Sequence, residues 1–133
     1  MANPEHVKFV MEGPEAIRRW RRAHVGIGLD LSKAELPGIN LGFAFLVNSD
    51  LSGADLSEAN LFEANLSYSN LAGANLSRAN LAFTNLYSAN LEGANLSWCN
   101  LMATNLFGCW AAGADLSNAT FQGCLLNLSY LQR

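Results

Sequence analysis

From Leu31 onward a leucine recurs every fifth residue without a break to Leu106, and the same slot then holds Ala111, Leu116, Phe121, Leu126 and Leu131. Of 21 such slots, 19 are Leu. A period of five fits neither common element. On an α-helix five steps rotate a side chain by about 140°, so no apolar face forms. On a strand side chains alternate, so an odd period sends successive leucines to opposite faces. Each unit must therefore be a short extended piece followed by a bend, with every leucine kept inside. The residue two before each leucine is small in nearly every case, as at Ala54, Ala59, Ala64, Ser69, Cys99 and Thr104. The residue just before it is Asn in ten consecutive units, Asn60 to Asn105. Asn and Gly suit the bends, because they tolerate unusual backbone angles and Asn bonds its own neighbouring backbone.

A longer period sets the shape of the coil. Gly53, Gly73, Gly93 and Gly113 recur every twenty residues, as do Ser57, Ser77, Ser97 and Ser117. Four units per coil follow: a square tube in which residue n stacks on residue n+20. At about 4.8 Å per coil, about five coils make a tube roughly 25 Å long.

The A-(N/D)-L-x-x pattern from Leu29 to about Leu131 resembles the pentapeptide repeat proteins. That resemblance implies an all-β solenoid, a right-handed quadrilateral parallel β-helix. It also implies that the leucine and the small residue two before it point inward and the other three positions outward. Phe45, Trp110, Leu125 and Tyr130 depart from the pattern in the Asn/Asp slot, as does Ala111 in the leucine slot.

Residues 1–29 are expected to form an N-terminal helical cap and residues 30–133 the β-helix, as one structural unit. Asn3-Pro4-Glu5 is a helix start, with a capping side chain, a proline in the first turn and an acid near the positive end of the dipole. Val7, Val10 and Met11 share one face. Gly13-Pro14-Glu15 ends that helix and begins another, running to about Ala23, whose Ile17 and Trp20 are expected across the first coil's leucines. The cluster Arg18-Arg19-Trp20-Arg21-Arg22 has the composition of an anion-binding patch. The favoured reading is a buried Trp with arginines solvated or paired with Asp30, Glu35 and Asp50. His24 reads as a helix-end residue.

The last coil is apolar even at outward slots, with Leu125, Leu128 and Tyr130. These residues are expected to pair with their copies in a two-fold homodimer, and some members of the resembled family dimerise through their C-terminal coils. Around the tube, outward aromatics gather at two bends. Phe43, Phe62, Phe83 and Met102 occupy one, and Val47, Tyr68, Tyr87 and Phe107 the next. Such clustering marks a surface for an unidentified protein partner, against the alternative that outward rings only stack neighbouring coils.

Composition excludes several other functions. Only 14% of the 133 residues are charged and the net charge is −3, so direct nucleic-acid binding is not expected. Members of the resembled family that protect type II topoisomerases act as DNA mimics, with rows of outward acids. Duplex DNA carries about one charge per 1.7 Å, so a 25 Å mimic needs roughly fifteen. Here Asp30, Glu35, Asp50, Asp55, Glu58 and Glu63 form a patch near the first two coils rather than a rod. A DNA-mimicking gyrase binder is therefore the second reading. Ice or mineral binding by the Ser57–Ser117 column is weaker still without Thr methyls. With histidines only at positions 6 and 24, no catalytic constellation, cofactor or metal site is expected. Cys99, Cys109 and Cys124 fall in the small inward slot and read as buried hydrophobes rather than disulfide or zinc partners. No apolar run reaches the length of a membrane span, and a cytoplasmic location is the default expectation.

Overall fold

The structure, a computed structural model, describes residues 1–127. Two helices lead the chain: α1, Pro4–Glu12, and α2, Pro14–Ala23. From Asp30 to Leu125 the backbone then makes a parallel bridge to its neighbour one coil away at every fifth residue, beginning Asp30 to Asp50 and ending Asn105 to Leu125. The stacking of n on n+20 is thus present throughout. It continues through Phe45, Trp110 and Leu125, where the Asn/Asp pattern breaks.

Each five-residue unit repeats one set of hydrogen bonds. The leucine N–H donates to the next coil's Asn/Asp carbonyl, as Leu66 does to Asn85 at 2.8 Å. The leucine carbonyl closes the bend by accepting from the residue three ahead, as Leu71 does from Ala74 at 3.0 Å. Within that bend the residue two after the leucine has a positive φ in every unit from Lys33 to Gly123. A positive φ at the third of four residues is the mark of a type II turn.

The Asn and Asp residues have a different task from the left-handed position. Their side-chain oxygens accept the backbone N–H two residues ahead, as Asn85 does from Tyr87 at 3.0 Å and Asp55 does from Ser57 at 3.0 Å. Asn and Asp thus fix the bend by self-bonding. Glu35, which breaks the pattern, stands two before Pro37, where there is no N–H to accept.

The leucines from Leu29 to Leu106, with the alanines two before them, form one continuous buried core. Threonine and cysteine side chains in the small slot find carbonyls on the preceding coil. Thr84 and Thr104 hydroxyls donate to Leu61 and Leu81 carbonyls at 2.7 and 2.6 Å. The thiols of Cys99 and Cys109 do the same toward Leu76 and Leu86. Among the described residues no buried side-chain nitrogen or oxygen lacks a partner. All three cysteines are free thiols, as the inward slot requires.

Asn3 begins α1, its side chain accepting the Glu5 N–H at 3.0 Å. Val10, Ile17 and Trp20 join the buried cluster that includes the coil leucines. Met11 does not share the buried face: it is 65% exposed, one step beyond Val10 and turned to solvent. The helices also supply partners for the first coil's open edge. The Asn3 N–H donates to the Asp30 carbonyl at 3.0 Å, and the Asp30 N–H donates to His6 Nδ1 at 2.8 Å. Arg21 donates to the carbonyls of Phe45, Val47 and Ile27. Unpaired edges invite association, and these contacts occupy part of this one. The tube begins with a close backbone approach, since a Cβ on Gly28 would lie 1.8 Å from the Asn48 carbonyl oxygen.

Candidate interaction surface

The outward aromatics are brought together where the twenty-residue period places them. At one bend Phe43, Phe62 and Phe83 form a column with ring centroids 5.6 Å apart at each step and edge-to-face planes. Met102 follows on the next coil, its carbonyl accepting from the Phe83 N–H at 2.9 Å. At the neighbouring bend Tyr68 meets Tyr87 edge to face at 5.6 Å, and Tyr87 stacks on Phe107 at 6.2 Å. Between the columns lies the side carrying Phe45, Asn65, Asn85 and Asn105. Asn105 and Asn85 are joined by a side-chain hydrogen bond of 3.3 Å.

These rings contact their neighbours and still face solvent. Phe43, Phe83, Tyr68, Tyr87, Met102 and Phe107 are all exposed, and Phe62 is half-buried between two phenylalanines. Edge-to-face pairs contribute about 0.5–1.5 kcal/mol each beyond area burial, so the columns also support coil stacking. The bends after Leu51 and Leu56 carry mostly Gly, Ser and acids, apart from Trp98, whose ring lies 5.6 Å from the Arg78 guanidinium carbon. The tube therefore has one side whose edges are markedly more apolar.

Phe45 is a member of this surface that the aromatic pattern alone did not reveal. It breaks the Asn/Asp slot, which was the signal, and its exposed ring lies 5.2 Å from the Arg21 guanidinium carbon. Arg18, Arg21 and Arg22 line a groove with Phe43 and Phe45, so the surface runs onto α2. Of the two fates expected for the arginines, Arg18, Arg19 and Arg22 take the solvated one, and among the described residues none pairs with Asp30, Glu35 or Asp50. Arg18 instead pairs with Glu15 at 2.5 Å and Arg19 with Glu12 at 4.0 Å, within the helices, while Arg21 turns to coil carbonyls. Glu15 lies one helical turn before Arg18 on α2, and the short α1–α2 junction brings Glu12 to Arg19.

His24 ends α2 as expected, donating from Nδ1 to the Trp20 carbonyl at 2.8 Å. At the other end, Leu125 is exposed and bridges Asn105, whereas Leu128 and Tyr130 lie outside the described residues. Ala111 in a leucine slot opens an apolar cavity of about 190 Å³ lined by Leu91, Leu96, Leu106, Leu116 and Phe121 among others.

The coil geometry defines a four-sided parallel solenoid. Residues 27–61, 59–97 and 99–132 match the family model of pentapeptide repeats, in 8 copies. The chain belongs to the pentapeptide repeat family. Among solved structures it is similar to a pentapeptide repeat protein of the Arabidopsis thaliana thylakoid lumen, with 29% identity and a TM-score of 0.67 over 68% of this chain and 63% of that one. It is also similar to HetL, a pentapeptide repeat protein involved in heterocyst differentiation regulation from the cyanobacterium Nostoc sp. strain PCC 7120. That match has 31% identity and a TM-score of 0.56, over 75% of this chain and 58% of HetL. The chain thus spans about three-fifths of the length of these neighbours. A comparison with curated proteins finds no match.

Proposed function

We propose that this chain is a non-catalytic, rigid protein-interaction scaffold, and that its partner docks on the side bounded by Phe43, Phe62, Phe83 and Met102 and by Tyr68, Tyr87 and Phe107. The observation that carries the reading is the concentration of exposed rings at two adjacent bends while the bends across the tube, Trp98 apart, are mostly small or polar. Contiguous exposed apolar surface bounded by polar residues is typical of protein interfaces. Similarity to HetL, described as acting in a regulatory process, is compatible with a binding role. The leading helices serve as the N-terminal cap, through Ile17 and Trp20 and the edge bonds of Asn3, His6 and Arg21.

The test is capture from a lysate of the source organism with wild-type protein and a Phe62→Ser/Phe83→Ser variant shown to be folded by circular dichroism. A partner retained by wild type and lost from the variant supports the reading. Equal capture by both refutes this location. If that common partner is a topoisomerase, the acidic first coils become the site, and inhibition of supercoiling by purified gyrase at stoichiometric levels checks the mimic reading.

A second reading concerns self-association. We propose a homodimer through the C-terminal coil, because the apolar cavity beside Ala111 adjoins Leu126, and the exposed Leu125 lies beside it in sequence. Light scattering is expected to give twice the 14.4 kDa chain mass for wild type and the single mass for Leu125→Arg. An unchanged dimer in the variant, or a monomeric wild type, refutes it.

A further inference from the structure

The junction between the leading helices and the first coil includes a backbone bond to one histidine. The Asp30 N–H points at His6 Nδ1, 2.8 Å away, so that nitrogen must carry a lone pair. A neutral imidazole then bears its proton on Nε2. The Asn3 amide nitrogen lies 3.5 Å from Nε2, at the limit of hydrogen-bonding range, so the 2.8 Å bond from the Asp30 N–H decides the tautomer. Proton uptake at Nδ1 would set two N–H groups against each other and leave the first coil's edge without its acceptor.

We propose that His6 is a pH-sensitive latch: in neutral form it fastens α1 and α2 to the first coil through the Asp30 N–H, and its protonation releases them. The lever is well placed. His6 packs edge-on against Trp20 at 4.8 Å, and Trp20 is the buried ring that joins α2 to the core. Release would uncover Val10, Ile17 and Trp20 and free the edge formed around Asp30. The backbone bond from Asn3 to the same Asp30 ties the start of α1 to this point, so loss of one contact loosens the other.

The titratable groups that face His6 act in both directions. The Asp30 carboxylate of the first coil favours the proton, while His24 at the end of α2 opposes it. Burial opposes it more strongly than either, and the net effect lowers the pKa of His6 below its ordinary 6.5. The amino terminus acts on Asp30, whose carboxyl is already held low by Ser32. His24 is a built-in contrast. Its ring stacks on Trp20 at 4.4 Å, and its Nδ1 donates to the Trp20 carbonyl instead of accepting a bond. Because the closed form binds the proton less well, the latch is full above 6.5, weakens as pH falls from 6.5 to the lowered value, and changes no further below it.

Amide hydrogen exchange, corrected for the intrinsic pH dependence of exchange, reads this directly. Between pH 7.5 and 4.5 the protection of residues 4–23 is expected to fall relative to repeat amides such as Leu66. The fall should be confined to that window, be no steeper than about tenfold per pH unit, and then level off. In His6→Asn the side-chain oxygen sits where Nδ1 was and cannot titrate, so relative protection is expected to stay flat. No relative change in wild type, or an equal fall in His6→Asn, overturns the proposal. NMR of the wild-type ring keeps the test decisive should that variant fail to fold. The expected result is the Nε2–H tautomer at pH 7.5, with the Asp30 amide shifting as His6 titrates. An Nδ1–H tautomer, or an Asp30 amide that ignores the titration, overturns it equally.

Discussion

The positive-φ position of each bend is the place where sequence and backbone are in tension, and Gly73 isolates that tension. Its φ is 66°, and a Cβ built there meets nothing within 4 Å, so Gly73→Ala changes the backbone cost and little else. An L-residue in the left-handed region costs about 1–2 kcal/mol. Alanine also restricts the unfolded chain, which returns about 0.4–1 kcal/mol. The net is a destabilisation of about 0.5–1 kcal/mol. At a urea slope near 2 kcal/mol/M that lowers the unfolding midpoint by about 0.3–0.5 M. Ala103, at φ 54°, is the reverse case. Ala103→Gly is expected to be neutral or to raise the midpoint, although Ala→Gly lowers it at an ordinary φ. The measurement is equilibrium urea unfolding of both variants beside Ala79→Gly, whose parent alanine is buried in the core. A raised midpoint for Gly73→Ala, or equal losses in the two Ala→Gly variants, would refute the turn assignment.

Removing a column leucine tests the core. Leu76 is fully buried, and Leu76→Ala is expected to cost about 2–5 kcal/mol by the same assay. Acid stability should depend on Asp55, whose carboxyl is held below its ordinary 3.8 first by the Ser57 backbone N–H, then by the Ser57 hydroxyl and by Asn75. Its contribution is full above 3.8 and is lost as pH falls through the lowered value, so Asp55→Asn should flatten the acid limb of a stability–pH curve. The thiols offer a further check. Burial pushes the Cys99 and Cys109 thiols up to about 11; Cys124, also raised by burial, is the one of the three that is partly exposed. Mass spectrometry after brief maleimide treatment at pH 7.5 should find Cys124 labelled first, with the other two protected until the protein unfolds.

The tube itself was legible because a strict local repeat must place equivalent residues in equivalent surroundings. Leucines five apart and glycines twenty apart led to inward slots and to stacking of n on n+20, and the bridges follow that register. The division of labour inside each bend was harder to read. Asn self-bonding was foreseeable from its chemistry, but the left-handed position holds Lys33, Phe43, Glu63, Arg78 and Trp98 as well as glycines. Side chains there point away from the core, so burial does not restrict their identity. The end contacts were least legible, because they join elements distant in sequence. His6 reaches Asp30 and Arg21 reaches Val47, and no repeat constrains either pair. What announced them was the need of an open coil edge for donors and acceptors. The aromatic columns fell where the period placed them, and Phe45 joined them from a slot that the pattern reserves for Asn or Asp.

The central claim is that the aromatic side is a binding surface and not only a set of stacked rings. The most direct measurement is paired: partner capture and urea stability on the Phe62→Ser/Phe83→Ser variant against wild type. The account predicts a folded variant, somewhat less stable from its lost ring pairs, that no longer retains a partner held by wild type. A variant that keeps every partner and loses only stability would contradict it and assign the rings to coil stacking alone.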